Sequence, residues 1–444
     1  MSGTGAETSP RGSRRRGPGA LSPSLRSIAQ SAYNRDMLSQ ELHVGQRIEL
    51  DITTVAFGGD GIGRIDNFVI FVPFVLEGER VEVEIVEVKR RYATADLVRV
   101  LTPSPLRVEP RCSYYMRCAG CQYQHVEYTH QLELKHKQIR DIFQRIGGIP
   151  DPPIEPVVAS PQPYGYRNKI VVHGPGKPGF WTMRGRSMIA IDHCPIAREE
   201  INRELAAISS QPSAVEKHLA IRCNSEGKVW TFTDVRAGET ELWEGEAPAG
   251  PRPPSIIAET VLGKTLHVPP GSFFQVNRGV IELALEHVRG IFSASGCQTL
   301  VDAYCGVGLF ALLLADLARH CYGIEVDARA IAAANANAQR LGLINYDFYA
   351  GKTERLLFYT LRQCQLDATC LILDPPRSGC GKAVLKTLRE QKPRKMIYIS
   401  CAPPMLARDI KEMLKLGYKL ERVVPFDMFP QTAHCEAVAE LALR

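Results

Sequence analysis

The 444-residue chain has no run of about 18 or more uncharged apolar residues, which excludes a membrane-spanning helix. Its first forty residues lack the apolar core of a secretory signal; Ser, Gly, Pro and Arg fill them instead. The chain therefore reads as cytoplasmic, with no membrane partner. Disulfides are not expected in such a reducing compartment, so the 13 cysteines gain weight as nucleophiles or metal ligands. No internal repeat is present. A basic body is also missing. The net charge is +6, and up to Glu41 there are Arg11, Arg14, Arg15, Arg16, Arg26 and Arg35 against Glu7, Asp36 and Glu41. Half of the excess thus sits in the leader, and bulk charge is weak evidence for a nucleic-acid partner.

What is there is ordinary for globular protein, with 45% apolar and 23% charged residues and length for two or three domains. Residues 1–41 read as a disordered basic leader, whose Arg-rich run is read as a solvated tail ahead of a phosphate contact. Residues 42–104 hold period-two stretches at 44–54, 68–75, 80–88 and 93–101, which predict a small closed β-barrel of the kind that binds RNA. The glycines at 58, 59, 61 and 63 read as a turn region. No helix follows them, so they are not a dinucleotide loop. Lys89-Arg90-Arg91-Tyr92 lies between the last two strands, where a solvated hairpin turn and a phosphate or base contact are equally good readings. Residues 105–255 form a central α+β domain with a helix over 128–146, ended by Gly147-Gly148. A Pro-, Gly- and Ala-rich linker follows at 244–254. From 256 to 444 strands and helices alternate, as in an α/β domain with a parallel sheet and helices on both faces.

Cys112, Cys118 and Cys121 form C-x5-C-x2-C, and Cys194, held by Pro195, is the best fourth thiolate. Four thiolates suit zinc or an iron–sulfur cluster, and buried inert cysteines are the third reading. Zinc sites usually pair two C-x2-C knuckles, so this three-plus-one layout favours a cluster.

The strand at 299–304 runs into Cys305-Gly306-Val307-Gly308 and a helix at 309–318, and the next strand ends in Glu325 and Asp327. A glycine turn with an acidic residue about twenty positions on fits a nucleoside-bearing cofactor, NAD or S-adenosylmethionine. Apolar strands then deliver Asp374, in Asp-Pro-Pro-Arg377, and Cys401, in Ser-Cys-Ala-Pro-Pro, to the presumed crevice. A thiol beside a methyl donor points to pyrimidine C5, which is a poor nucleophile until a thiolate adds at C6. That chemistry also needs a separate base. Glu436 is the candidate, with His434 as orienter. The target base has to leave its stack.

Together these residues resemble the RNA uracil-C5 methyltransferase family, especially its iron–sulfur members acting on 23S rRNA, over about residues 42–444. The resemblance implies a TRAM domain at the N-terminus and a Rossmann-like S-adenosylmethionine-dependent methyltransferase domain at the C-terminus. It implies a [4Fe-4S] cluster on Cys112, Cys118, Cys121 and Cys194. Gly271-Ser272-Phe273-Phe274-Gln275-Val276-Asn277 resembles the family segment whose glutamine meets the cofactor. Gln275, Tyr304, Glu325 and Asp374 are carried over on that likeness as cofactor-site residues. Cys401, with Leu406-Ala407-Arg408-Asp409 behind it, matches the nucleophile motif, and His434-x-Glu436 the base motif. Leu309 and Lys352 depart from the pattern, where the family often has Asn and an acidic residue. The implied enzyme is a monomer acting on RNA, rRNA ahead of tRNA, with no protein partner. The rivals are an N-methyltransferase, a cytosine-C5 enzyme and a non-catalytic iron–sulfur RNA-binding protein. Arg377 instead of an aromatic, Ser400 instead of a proline before the thiol, and the intact Cys401, Asp374 and Glu436 count against them in turn.

Overall fold

The computed structural model describes residues 42–174, 176–183, 185, 187–210, 218–233 and 256–444. The leader and the 244–254 linker lie outside them. The described residues divide into two compact units: one contains 42–54 and 61–102, the other 55–60 and those from 103 on. No helix among the described residues is long and apolar enough to cross a membrane.

In the first unit β1 (Arg47–Val55), β2 (Asp60–Ile65), β3 (Phe68–Pro73), β4 (Arg80–Val88) and β5 (Tyr92–Thr102) close a barrel in the order β1-β2-β3-β5-β4. Alternate residues fill it, among them Leu50, Ile52, Phe68, Ile70, Val81, Val83 and Ile85. Truncating one of these to Ala costs about 2–5 kcal/mol. Gly58 and Gly59 form the expected turn, whereas Gly61 and Gly63 depart from that reading, because β2 begins at Asp60. A Cβ on Gly61 would lie 2.2 Å from Val75 Cγ2, and one on Gly63 would lie 2.4 Å from Leu50. These glycines let a strand approach the far wall closely. Lys89-Arg90-Arg91-Tyr92 is the β4–β5 hairpin, closed by Lys89 N–H donating to Tyr92 O.

The second unit opens with the cysteine loop and α1 (Tyr128–Ile142). One wider turn extends this helix over Phe143–Gly147, and Gly148 ends it at φ 68°. Ile139, Ile142 and Phe143 pack into the large sheet's core. An antiparallel sheet follows in the order β10-β9-β6-β7-β8, made of β6 (Lys169–His173), β7 (Gly179–Trp181), β8 (Met188–Ala190), β9 (His218–Cys223) and β10 (Val229–Thr233). Helix α2 (Glu199–Ser209) lies on it and buries Ile201 and Leu205. The hairpin β11 (Ile257–Val261) and β12 (Lys264–Val268) leads into α3 (Arg278–Ser295).

The large sheet has seven strands in the order β15-β14-β13-β16-β17-β19-β18. They are β13 (Thr299–Ala303), β14 (His320–Glu325), β15 (Tyr346–Ala350), β16 (Thr369–Leu373), β17 (Lys395–Ser400), β18 (Tyr418–Phe426) and β19 (Glu436–Leu443). The first five are parallel, whereas β19 runs antiparallel to both β17 and β18. The sheet is therefore not parallel to its end, as the alternating pattern led one to expect. A hairpin supplies the last two strands. Helices α4 (Leu309–Leu313), α5 (Ala328–Arg340), α6 (Thr353–Leu361), α7 (Lys382–Glu390) and α8 (Pro403–Lys415) connect the rest. Both faces are covered, by the cluster around Leu300, Ile372 and Ile397 and by the one around Val301, Leu371 and Met396. Helix α4 stops five residues before the end expected at 318. Arg289 of α3 captures Leu313 O at 3.0 Å and pairs with Asp316, which turns the chain away.

Candidate active site

The parallel strands converge on one edge. Tyr304 follows β13, Glu325 ends β14, Asp374 follows β16 and Cys401 follows β17. Their positions follow from consecutive parallel pairing: each strand is buried apolar sequence, and each ends where a polar or turn residue takes over. Glu436 reaches the same edge from the opposite direction. The β17–β19 register pairs Ser400 with Ala437, so the next residues along, Cys401 and Glu436, lie across from each other. The antiparallel hairpin is what brings the two together.

Cys401 is half-buried, and Glu436 is buried at 5% exposure. Burial pushes the Cys401 thiol up, and the Glu436 and Asp374 charges add to this. The Arg377 guanidinium opposes them, by its charge and by a hydrogen bond to the thiol. The Glu436 carboxyl is driven well above the usual range by burial first and by Asp374 second, with Arg377 again opposing. Asp374 is pushed to about 7 by burial and by Glu325. Two carboxyls this strongly linked titrate as a pair. Arg377 is the cation that Cys401 and Glu436 share, and sequence reading had not assigned it to the site. The available signal was its place directly after Asp374-Pro375-Pro376.

A change of Arg377 to Gln removes the one opposing charge, so the thiol titrates higher still. The pH profile of Cys401 alkylation by a small thiol reagent is expected to move upward, with modification at pH 7 slowed on the order of ten-fold. Stopped-flow or quench measurement of that modification between pH 6 and 9 checks this. An unmoved profile would remove Arg377 from the site.

His434 lines the cavity next to this edge, with its backbone N–H on Thr432 Oγ1 at 3.2 Å and its ring edge-on to Phe429. Burial lowers it to about 4, with Arg377, Lys135 and Arg167 adding to the effect. It is therefore neutral at pH 7, and among the described residues no hydrogen bond joins it to Glu436.

At the glycine turn, Glu325 accepts hydrogen bonds from Gly306 N–H (3.1 Å) and Asp327 N–H (2.9 Å). Tyr304 has φ 73°, and its hydroxyl is buried without a hydrogen bond. Asp302, two residues earlier in β13, also escaped the sequence reading. It is fully buried; one oxygen takes Ala311 N–H at 3.1 Å and the other has no partner. Burial pushes it to about 8, and Asp374 and Glu325 contribute. Gln275 is buried at 6% in the loop before α3. Leu309 is spent on packing, buried at 7% in the sheet's core, and Lys352 is exposed where α6 begins.

Cys112, Cys118, Cys121 and Cys194 line one cavity of about 540 Å³, and Arg377 and His434 line it too. Tyr114 OH donates to Asp192 Oδ1 at 2.8 Å, tying the two cysteine-bearing loops together, and Asn202 brackets Cys194 through its N–H (2.8 Å) and carbonyl (3.1 Å). Burial pushes Cys121 to about 12, with Cys194, Cys118 and Cys112 adding to it, and pushes Cys194 to about 11, with Cys112 contributing. Cys112, Cys118 and Cys194 thus lie close enough to Cys121 to oppose its ionisation. Among the described residues no group of three or more His, Cys, Asp or Glu side chains forms a site for a metal ion.

A seven-stranded sheet with an acid-flanked glycine turn, and a thiol and carboxyl at its carboxyl edge, defines a methyltransferase of the S-adenosylmethionine-dependent fold. The solved structure of Pyrococcus abyssi tRNA (uracil-54, C5)-methyltransferase in complex with S-adenosyl-L-homocysteine shares that fold. Its TM-score is 0.67 at 24% identity, over 89% of this chain and 100% of that one. The tRNA (uracil-5-)-methyltransferase family model matches residues 261–443, and the TRAM domain model matches 41–98. An uncharacterized RNA methyltransferase of Synechocystis is 34% identical over 89% of this chain and 96% of its own length. One from Halalkalibacterium halodurans is 31% identical over 89% and 97%. This chain belongs to that RNA methyltransferase family.

Proposed function

We propose that the chain methylates C5 of a uracil in RNA through a covalent bond from Cys401 to C6. The observation that carries this is the β17–β19 register, which sets a thiol opposite a buried carboxyl at the cofactor edge. S-adenosylmethionine supplies an electrophilic methyl group. Glu325 would hold the ribose hydroxyls, and Gln275, Tyr304 and Asp374 would complete its site. The partnerless Asp302 oxygen and Tyr304 hydroxyl fit a polar ligand there.

Arg377 holds the Cys401 thiolate as it attacks C6. The C5–C6 electron pair moves onto the ring carbonyl and makes C5 nucleophilic. C5 would take the methyl from the bound cofactor, whose sulfur would leave with the electron pair of the broken bond. Glu436 then removes the C5 proton. The pair left behind re-forms C5=C6 and expels Cys401 as thiolate, so electrons balance with no redox partner. A raised Glu436 pKa makes it a stronger base for that proton. RNA carrying 5-fluorouracil tests the reading, because its C5 substituent cannot leave as a proton: a stable protein–RNA adduct is expected, and its absence would overturn the proposal.

The four thiols fit a [4Fe-4S] group. They line one cavity, on two loops that Tyr114 and Asp192 tie together. Its role in this reading is to hold the cysteine loops and the RNA-facing cavity. Anaerobically purified protein is expected to be brown with about four irons per chain; one zinc and no iron would overturn the assignment. Ribosomal RNA is the favoured substrate on the pairing of barrel and cysteine set. Transfer RNA is the second reading, favoured by the description of the matched family model. Mapping methylated uracils in cells lacking the gene separates the two.

A further inference from the structure

Gln431 lies five residues before Glu436 with φ 69°, a left-handed conformation that costs free energy in any residue with a Cβ. The surroundings hold it there. Its carbonyl accepts from Gln122 N–H (3.1 Å) and Tyr123 N–H (2.9 Å). Its own N–H donates to Gln131 Oε1 at 3.1 Å, while its Oε1 accepts from Gln131 Nε2 at 3.0 Å. Further along α1, the Lys135 ammonium donates to Asp427 Oδ1 and to Phe429 O. Asp427 Oδ2 accepts from Tyr128 OH at 2.9 Å. Gln131, Lys135, Asp427 and Gln431 are each at most 2% exposed. Tyr128, Gln131 and Lys135 are spaced three and four apart, so one face of α1 grips the whole segment from Asp427 to Gln431. Ala433 N–H is held in turn by Gln122 Oε1 at 3.1 Å.

That segment is the loop of the β18–β19 hairpin, and Glu436 is its first residue beyond the loop. Strand pairing fixes the register of β19, but a long loop leaves the hairpin end free to fray. We infer that Gln131 and Lys135 are positioning residues for Glu436: α1 and the loop that follows Cys121 hold the hairpin end so that the carboxyl stays opposite Cys401. The inference rests on the uracil-C5 reading above. It assigns these side chains to one half of the reaction, proton removal and release, and not to thiol addition, because Cys401 is carried by β17 and α8.

The experiment compares two RNA substrates with Gln131→Met, and with Lys135→Met paired with Asp427→Asn so that no lone charge is buried. With 5-fluorouracil RNA, adduct formation needs no proton removal and is expected at the wild-type rate. With ordinary uracil RNA, release is expected to slow by about 10- to 100-fold, and the methylated adduct accumulates on denaturing gels. Wild-type behaviour on both RNAs overturns the inference. So does loss of adduct formation and release together in both variants, which a merely structural role produces. Should the wild-type chain itself trap no 5-fluorouracil RNA, the functional reading fails instead.

Discussion

Replacing Cys401 with Ala is expected to abolish methyl transfer to RNA, by roughly 10,000-fold or more, and to remove the 5-fluorouracil adduct completely. The size of the effect follows from the chemistry. Without addition at C6 the uracil ring offers no nucleophilic carbon, and no neighbouring group replaces the lost step. Cys435 lies in the same hairpin, but it is fully buried, and burial drives its thiol far up. Cys305 is buried at the glycine turn and is likewise held well above an ordinary thiol. Neither is available as a substitute. Folding should be preserved, since Cys401 is half-exposed and Ala removes only a sulfur. Labelled S-adenosylmethionine binding measured beside transfer separates the two: binding stays and transfer goes. Full transfer by Cys401→Ala would rule out the covalent mechanism.

Glu436→Gln is expected to fail at a different point. Thiol addition and methyl transfer still occur once, but the C5 proton stays, and ordinary uracil RNA becomes trapped as a methylated adduct. Turnover should fall by about 100- to 10,000-fold. The pH dependence has a definite sign. In the proposed reaction Glu436 works as the deprotonated carboxylate, and burial and Asp374 raise its pKa. Release in the wild-type chain is therefore slow at acid pH and rises as the carboxyl gives up its proton. Thiol addition also rises with pH, because Cys401 too is held up. Adduct formation on 5-fluorouracil RNA reports the thiol alone, so comparing the two profiles isolates Glu436. In Glu436→Gln the release limb should be flat. A variant that released product at the wild-type rate would show that another group takes the proton.

Much of this site could be read in the linear chain because parallel strands make it so. A buried parallel strand is a short apolar run, and its carboxyl end is where the run stops. Glu325, Asp374 and Cys401 are each the residue at or just after such a stop, and Tyr304 follows the run before the glycine turn. The barrel strands were visible for the corresponding reason, alternation in period two. Asp302 was missed because it sits inside an apolar run, where pattern reading sees only a strand. Arg377 was missed because nothing in its neighbours announces that its guanidinium turns back to the thiol. The β2 strand was read as a turn because Gly61 and Gly63 suit both, and only the crowding by Val75 and Leu50 decides between them. The short α4 depended on Arg289, twenty residues upstream, which no local propensity can report.

Residue order alone determined the supply of groups: a glycine turn with acids after it, a thiol and a carboxyl at strand boundaries, and four cysteines in two loops. These are local properties, set by which side chain follows which apolar run. Tertiary structure decided who meets whom. The antiparallel β19 turns Glu436 back to Cys401, Arg377 faces both, and α1 reaches from three hundred residues away to hold Gln431. Those relations come from strand order and from buried polar side chains, which must find partners wherever the fold places them.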